Sequence, residues 1–182
     1  MKKSITITGA LGSGKSTVAH MLADKMAYIY YSTGNAQRHI AEQMHLTTLE
    51  LNKLADKDPS IDEKIDSVFK KMNSDGKSYV VDSRLAWHFM PDSFKVKLIT
   101  DENTAALRIM NDTTRAGERH YETLEDAKQA IISRRQSEVS RFLHTYHVDI
   151  ENNKMFDLIL DTTSLTPEEV CTQILNAYNH HI

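Results

Sequence analysis

The stretch SITITGALGSGKST, residues 4–17, joins a strand pattern to a glycine-rich loop and the start of a helix pattern. From Gly9 to Ser16 it has the spacing Gly-x-x-x-x-Gly-Lys-Ser, which is typical of a phosphate-binding loop. Glycines lack Cβ atoms, so the backbone can turn at positive φ and direct its N–H groups inward. Those N–H groups and the N-terminus of the following helix favour a bound anion. The stretch therefore predicts a strand, a phosphate-binding loop and a helix, in that order.

The residues on either side of the loop support this interpretation. Ile5 and Ile7 alternate with threonines, as in a strand, and an apolar stripe with helical spacing follows at residues 18–26. In a loop of this kind the Lys15 side chain can reach the β- and γ-phosphates of a nucleotide, and the Ser16 hydroxyl can coordinate Mg²⁺.

The composition bounds the class of protein. With 182 residues, 40% of them hydrophobic and 26% charged, the chain has the size and balance of one soluble domain. The net charge of −3 argues against nucleic-acid binding and against binding to anionic membranes. The single Cys171 excludes an internal disulfide framework, and no apolar run approaches the length of a membrane helix. We therefore expect one cytoplasmic domain over residues 1–182, with no membrane or nucleic-acid partner.

Strand and helix patterns alternate along the rest of the chain. Strands are predicted at residues 27–31, 78–82, 94–100 and 156–161, and helical patterns occupy most of the intervening sequence. This alternation predicts an α/β fold with a parallel five-stranded sheet and helices on both faces. In such a sheet ligands bind at the carboxyl ends of the strands, so the residues that follow each strand are the candidates for a site.

Two of these strand ends carry side chains that suit an anionic ligand. Thr33 and Arg38 follow the second predicted strand, and Arg38 can bind a phosphate through two hydrogen bonds. Asp82 ends the third strand, where it can lie near Mg²⁺ or hold the phosphate-binding loop by hydrogen bonds. Arg84, two residues further on, can hold a second phosphate.

A third group of charged residues lies on a long helix predicted at residues 123–146. Arg134, Glu138 and Arg141 are spaced to share one face of that helix. The pattern fits a solvated, salt-bridged face, and it also fits a set of arginines that closes over phosphates and excludes water. The spacing leaves both interpretations open.

Several further segments resemble the cytidylate kinase family, especially its short archaeal-type branch, in order and spacing from the first strand to the last helix. The segments are STGNAQRHIA (32–41), LELNKLADKDPSIDEKID (49–66), VVDSRLAW (80–87), SRRQSEVSRF (133–142), YHVDI (146–150) and FDLILDTTSLTPEEV (156–170). They are more specific than the phosphate-binding loop, which many nucleotide-binding families share. The resemblance implies a P-loop nucleoside monophosphate kinase that catalyses ATP + CMP ⇌ ADP + CDP, with dCMP as a further acceptor.

The resemblance also implies roles for particular residues. An acceptor-binding region at about 33–75 and a lid at about 111–122 would flank the site, in a monomer or a weak dimer. The residues implied to bind ATP are Gly9, Ala10, Leu11, Gly12, Ser13, Gly14, Lys15, Ser16 and Thr17. Those implied to bind the acceptor monophosphate are Thr33, Gly34, Arg38, Asp82, Arg84 and Glu138. Catalysis would involve Lys15, Arg84, Arg134 and Arg141, the lid side would carry Arg108, Arg115 and Arg119, and the ligands of Mg²⁺ would be Ser16 and, as a further candidate, Asp82.

The chain departs from the family pattern at three places. Ser83 stands where the family usually has a glycine between the acidic residue and the arginine. Ser67-Val68-Phe69 replaces an Arg-Arg-Gln expected near the acceptor, and Asn111-Asp112 takes part of the space where the family repeats arginine. Two alternatives therefore stay open: a P-loop kinase with a different acceptor, and a regulator that binds ATP without transferring phosphate.

Overall fold

The computed structural model describes residues 3–55, 57–58, 60–112 and 121–181, without the side chains of Leu49 and Ile65. Five strands in this part of the chain form one sheet: Ile5–Gly9 (β1), Ile29–Ser32 (β2), Tyr79–Asp82 (β3), Phe94–Ile99 (β4) and Leu158–Asp161 (β5). Their order is β2-β3-β1-β4-β5, and every neighbouring pair is parallel. The predicted α/β fold with a parallel five-stranded sheet is confirmed.

Helices connect the strands. They are Lys15–Met26 (α1), Thr33–Gln43 (α2), Thr48–Ala55 (α3), Ser60–Met72 (α4), Ala86–Phe89 (α5), Glu102–Asn111 (α6), Leu124–Tyr146 (α7) and Pro167–His181 (α8), and a 3₁₀ turn at Asn153–Met155 precedes β5. The sequence patterns did not predict the single-turn helix α5. None of the helices in the described part of the chain combines the length and apolar composition needed to cross a membrane.

The second strand begins two residues later than predicted because the end of α1 occupies the intervening positions. Ala27 caps α1 in the left-handed conformation, with a φ of 54°, and its N–H donates to the carbonyls of Ala23 and Asp24. A left-handed residue at this position is a common way to end a helix. The chain can become extended only after it.

The alternation of isoleucine and threonine in β1 places these side chains on opposite faces of the sheet, and both faces are buried. Ile5 and Ile7 are fully buried in the core that α1 and α8 form on one face. Thr6 and Thr8 point to the other face, and they too are buried. The Thr6 hydroxyl shares a hydrogen bond of 3.1 Å with the Ser93 hydroxyl, and the Thr8 hydroxyl donates to the Arg84 carbonyl. Hydrogen bonding therefore allows the polar half of the pattern to be buried as well.

Lys97 of β4 lies on this second face and is 6% exposed. Its ammonium group donates to the Ile150 carbonyl at 3.2 Å and to the Asn153 side-chain oxygen at 2.7 Å. It also lies 5.3 Å from the centre of the Phe156 ring. Lys97 therefore ties the segment that precedes β5 to the sheet.

We expect Lys97→Met to lower the free energy of unfolding by about 2 kcal/mol, because two acceptors lose their shared charged donor. Urea denaturation of the purified protein measures this change. The matched control is Lys95→Met on the same strand, whose ammonium group donates to the Pro91 carbonyl near the surface. The control should change stability by less than about 0.5 kcal/mol, and equal losses in the two variants would contradict the assigned role of Lys97.

Candidate active site

The phosphate-binding loop folds tightly between β1 and α1. Gly12 and Gly14 have positive φ values of 80° and 84°. A Cβ at Gly12 would lie 2.5 Å from the carbonyl oxygen of Ala105, so glycine at this position allows α6 to pack directly on the loop. Gly14 is the N-cap of α1, whose first turn lines a cleft shared with Arg38, Asp82 and Arg84 (the main cleft). The loop therefore presents a helix N-terminus to that cleft.

Polar side chains of the loop bind the loop backbone and the end of β3. The Lys15 ammonium group donates to the Ala10 carbonyl at 2.9 Å, and the Ser13 hydroxyl donates to the same carbonyl at 2.8 Å. The Ser16 hydroxyl donates to the buried Asp82 carboxylate at 2.5 Å. The structure thus brings together the lysine, the serine and the strand-end carboxylate that the sequence analysis singled out.

Ser16 and Asp82 fit a divalent cation of the kind that accompanies ATP in kinases. Both offer oxygen atoms, which hard cations prefer, and the two side chains are in direct contact. Within the described ranges, no group of three or more His, Cys, Asp and Glu side chains forms another candidate metal site. A cation at Ser16 and Asp82 would therefore draw its remaining ligands from phosphate oxygens and water.

Glu138 of α7 is a buried carboxylate between two arginines. Arg84 Nε donates to one of its oxygens at 2.7 Å, and Arg134 Nε donates to the other at 3.1 Å. Burial alone would raise the pKa of Glu138, but the two guanidinium groups outweigh it and lower the pKa to about 2. The solvated-face interpretation is therefore wrong for Glu138, which is 8% exposed.

Arg84 links α7 to the phosphate-binding loop. Its Nη1 donates to the Gly9 carbonyl while its Nε holds Glu138. Its own carbonyl accepts hydrogen bonds from the Thr8 hydroxyl at 3.2 Å and from the Trp87 indole at 2.9 Å. Both the backbone and the side chain of Arg84 are thus held at the edge of the loop.

Ser83, the first departure from the family pattern, is accommodated by a local cap. Its buried hydroxyl accepts hydrogen bonds from the N–H groups of Leu85 and Ala86, both at 3.2 Å. Its own N–H donates to the Ile7 carbonyl at 3.1 Å. Ser83 therefore supports the start of α5, and a serine just before a short apolar run is the signal that could have predicted this helix.

The second departure lies away from the cleft. Phe69 is fully buried in a cluster with Met72, Tyr79 and Val81. The Ser67 hydroxyl donates to the Lys64 carbonyl on the exposed side of α4. The residues lining the main cleft and the cavity next to it do not include positions 67–69.

The main cleft has a volume of about 370 Å³ and places the acceptor-side candidates opposite the loop. Thr33, Gly34 and Arg38 line it together with the loop. The Thr33 hydroxyl donates to the Asp82 carbonyl at 3.4 Å, and Arg38 donates to the Asn35 side-chain oxygen. Asp112, part of the third departure, also lines the cleft, so an acidic side chain borders it here.

A smaller inner cavity of about 40 Å³ adjoins the main cleft. Five residues line both spaces: Thr33, Gln37, Ser83, Arg84 and Arg134. The inner cavity alone is lined by Asn52, Asp62, Asp66 and Arg141, among others. Sequence reasoning assigned no role to Asp62 and Asp66, although their spacing of four residues on α4 places them on one helix face.

The two aspartates differ in their partners. The Arg141 Nε lies 3.3 Å from the Asp62 carboxylate, and its Nη1 donates to the Asn52 carbonyl at 3.4 Å. Asp66 instead accepts a hydrogen bond of 2.6 Å from the neutral Tyr146 hydroxyl. Burial raises the pKa of Asp66 to about 6, and the charge of Asp62 adds to this, while Tyr146 and Arg141 partly oppose it.

The lid-side arginines divide into one that the structure describes and two that it does not. Arg108 of α6 donates to the Gly12 carbonyl at 3.4 Å and to the Thr162 carbonyl at 2.6 Å. It lines a separate cleft of about 580 Å³ on the other side of the loop. Arg115 and Arg119 lie outside the described residues, as does residue range 113–120 of the predicted lid.

A parallel five-stranded sheet with a phosphate-binding loop after β1 and arginines at its carboxyl edge defines the class of P-loop kinases. A solved shikimate kinase from Acinetobacter baumannii has this fold, with a TM-score of 0.60 and 15% identity over 98% of this chain and 94% of that chain. At this level of identity the likeness concerns the fold alone.

Sequence comparison then identifies the family. Residues 4–164 match the model of the cytidylate kinase-like family, and the chain belongs to that family. A cytidylate kinase from Sulfurisphaera tokodaii is 34% identical over 174 residues, which cover 96% of this chain and 93% of that protein. An S-adenosylmethionine-dependent nucleotide dehydratase from Lacinutrix mariniflava is 34% identical over 98% of this chain, but the chain spans only 36% of that protein. The family resemblance seen in the sequence is confirmed.

We expect Asp66→Asn to be more stable than the natural protein at neutral pH. The pKa of Asp66 is raised from 3.8 to about 6 in the folded state, which means that the folded protein favours the protonated carboxyl group. The stability that this preference contributes is fully present below about pH 4 and is lost as the pH rises through about 6. The amide does not ionise and avoids this loss. The stability difference between the two proteins should therefore grow between about pH 4 and pH 6, reaching about 3 kcal/mol.

Urea denaturation at a series of pH values measures this difference. Other titrating groups, including Glu138, are present in both proteins and largely cancel in the comparison. The control is Asp24→Asn on the exposed side of α1. A flat difference for Asp66→Asn, or an equal rise for the control, would contradict the assignment to Asp66.

Proposed function

We propose that this protein is a nucleoside monophosphate kinase that transfers the γ-phosphoryl group of ATP to CMP or dCMP. Relatives named cytidylate kinase, which align with 96% of the chain, support this activity. The observation that carries the proposal is the bridge that Arg84 forms between Gly9 of the loop and Glu138 of α7. It brings acceptor-side arginines to the phosphate-binding loop within one cleft.

The donor ATP would bind with its phosphates on the loop N–H groups and on Lys15. Its nucleoside would lie in the separate cleft beside Arg108. Ser16 and Asp82 would hold Mg²⁺, which when bound neutralises charge on the β- and γ-phosphate oxygens.

The acceptor monophosphate would bind opposite the loop, between Arg38 and Arg84. One of its oxygens attacks the γ-phosphorus in line, a new P–O bond forms, and the bond to the bridging oxygen of ADP breaks. The reaction needs no covalent nucleophile from the protein, so positioning and charge stabilisation supply the catalysis. Arg84 would exchange the Gly9 carbonyl for a phosphate oxygen while Glu138 keeps its guanidinium group oriented.

A lid is the remaining part of this proposal. Residues 111–122, with Arg115 and Arg119, would close over the phosphates after both nucleotides bind. Closure excludes water, which would otherwise accept the phosphoryl group and waste ATP. The region at 33–75 would hold the acceptor.

The structure bears on both alternatives to this proposal. Because Ser67, Val68 and Phe69 line neither the main cleft nor the inner cavity, these replacements obstruct neither space. A regulator that only binds ATP would not need Arg84, which the proposal assigns to the acceptor, to be held at the loop, as it is here. Both observations favour a working (d)CMP kinase.

The first test is ADP formation from Mg-ATP with CMP, dCMP, UMP, AMP and GMP as acceptors. CMP or dCMP should give the highest kcat/KM. We expect Lys15→Ala to lower kcat for the best acceptor at least 100-fold, roughly the loss seen when one charge-stabilising donor is removed. Lys25→Ala, on the exposed side of the same helix, is the control and should retain full activity. Full activity of Lys15→Ala would exclude the loop as the phosphate site.

We expect Arg84→Ala to raise the KM for CMP at least tenfold, on the order of one lost charge-assisted phosphate contact, and to change the KM for ATP by less than about threefold. The reason is that Arg84, which Glu138 orients, would contact the acceptor phosphate, whereas the ATP phosphates would lie on the loop N–H groups and Lys15. Initial rates with each substrate varied in turn measure both constants. The control is Arg135→Ala, since Arg135 pairs with the exposed Glu151 outside the cleft. Equal losses for the two substrates would argue against an acceptor role for Arg84.

A further inference from the structure

The inner cavity adjoins the main cleft, and its lining among the described residues includes none of the loop residues 9–17. Arg134 lines both spaces, whereas Asp66 lines only the inner one. Tyr146 of α7 holds Asp66 in this cavity through a hydrogen bond of 2.6 Å. A nucleotide whose phosphate is held by Arg84 and Arg134, which line both spaces, could extend its base into the inner cavity that Asp66 lines.

We propose that the Asp66 carboxyl group selects the acceptor base, by accepting a hydrogen bond from the exocyclic amino group of a 4-aminopyrimidine. The inference rests on the proposed function, because it concerns the acceptor site of the same reaction. Cytosine presents an N–H donor at position 4, and a carboxylate accepts it. Uracil presents an oxygen at that position, which a carboxylate repels. Asp66 would thus separate CMP and dCMP from UMP.

The other polar groups of the inner cavity do not discriminate in this way. Gln37 and Asn52 carry side-chain amides, which offer a donor or an acceptor after a simple flip. Arg141 offers only donors, and it lies beside the Asp62 carboxylate. Among the carboxyl groups of this cavity, Asp62 and Glu138 have arginine Nε atoms at 3.3 and 2.7 Å, whereas Asp66 is held by the Tyr146 hydroxyl at 2.6 Å.

Asp66 has hydrogen-bonding capacity left for a ligand. Within the part of the chain that the structure describes, its carboxyl group accepts one hydrogen bond, from Tyr146, and that bond fixes its orientation. The groups that face it are Asp62 on its own helix, Arg141 and Tyr146 on α7, and Tyr31 on β2.

Base binding requires the inner cavity to widen. Its volume is only about 40 Å³, and two of its lining side chains, Arg141 and Asp62, lie 3.3 Å apart and join α7 to α4. An entering base would separate these two side chains and leave Asp66 in place on Tyr146. Movement of α4 relative to α7 is the kind of closure and opening that nucleotide kinases use to admit substrates.

The test compares CMP and UMP as acceptors with the natural protein, Asp66→Asn, Asp66→Leu and the remote control Asp24→Asn. The asparagine amide can pair with either base, so the ratio of kcat/KM for CMP to that for UMP should fall at least about tenfold in Asp66→Asn. Asp66→Leu should lose at least about tenfold in kcat/KM for CMP without any gain for UMP. The KM for ATP should not change in any variant. Asp66→Asn keeps the shape of the side chain and can still accept the Tyr146 hydrogen bond, so it tests the proposal even if Asp66→Leu does not fold.

The outcomes separate this inference from the proposed function. If the natural protein phosphorylates CMP and the CMP-to-UMP ratio is unchanged in Asp66→Asn, the role of Asp66 is overturned and the kinase function stands. Equal use of CMP and UMP by the natural protein would also overturn the role of Asp66 alone. If the natural protein phosphorylates neither pyrimidine, the proposed function fails, and this inference fails with it.

Discussion

The buried charge of Glu138 is the constraint on which the geometry of the site depends. A carboxylate that is 8% exposed is stable in the ionised form only with close positive partners, and Arg84 and Arg134 supply them. Arg84 cannot satisfy Glu138 without crossing from the end of β3 to α7, and on the way it contacts the Gly9 carbonyl. One carboxylate therefore holds the phosphate-binding loop, the sheet edge and the long helix in a single arrangement.

The loop is held from three directions by contacts of this kind. The sheet holds it through the bond between Ser16 and Asp82, and α7 holds it through Arg84. On the far side, Thr162 donates to the Ser13 carbonyl at 3.2 Å, and Arg108 joins Thr162 to Gly12. Such a framework fixes the loop N–H groups before a nucleotide arrives, which reduces the reorganisation needed in the transition state.

Both connected spaces carry charges of both signs. The main cleft contains Lys15 and Arg38 together with Asp82 and Asp112. The inner cavity contains the carboxyl groups of Asp62, Asp66 and Glu138 together with Arg84, Arg134 and Arg141. In the proposed function the main cleft would hold the phosphate of the acceptor and the inner cavity its base.

Local patterns in the sequence were enough to predict the strands, most helices and the phosphate-binding loop. Strand alternation, helical spacing and glycine at Gly12 and Gly14 reflect constraints that act within a few residues. The capping pairs Thr47 with Glu50 and Thr166 with Glu169, which the structure contains, likewise join residues only three positions apart. The motif residues Lys15, Ser16, Asp82 and Arg84 could be named because parallel strands end at a common edge of the sheet.

Contacts between distant segments could not be deduced in this way. The pairing of Arg84 with Glu138 joins residues 54 positions apart, and that of Asp66 with Tyr146 joins residues 80 positions apart. The spacing on α7 also fitted a solvated face for Glu138, and only its burial against Arg84 excludes that interpretation. Asp62 and Asp66 resemble ordinary charged residues of an amphipathic helix until α4 packs against α7. Local steric and hydrogen-bonding preferences thus specify the elements, whereas the environment of each buried charge depends on which elements the fold brings together.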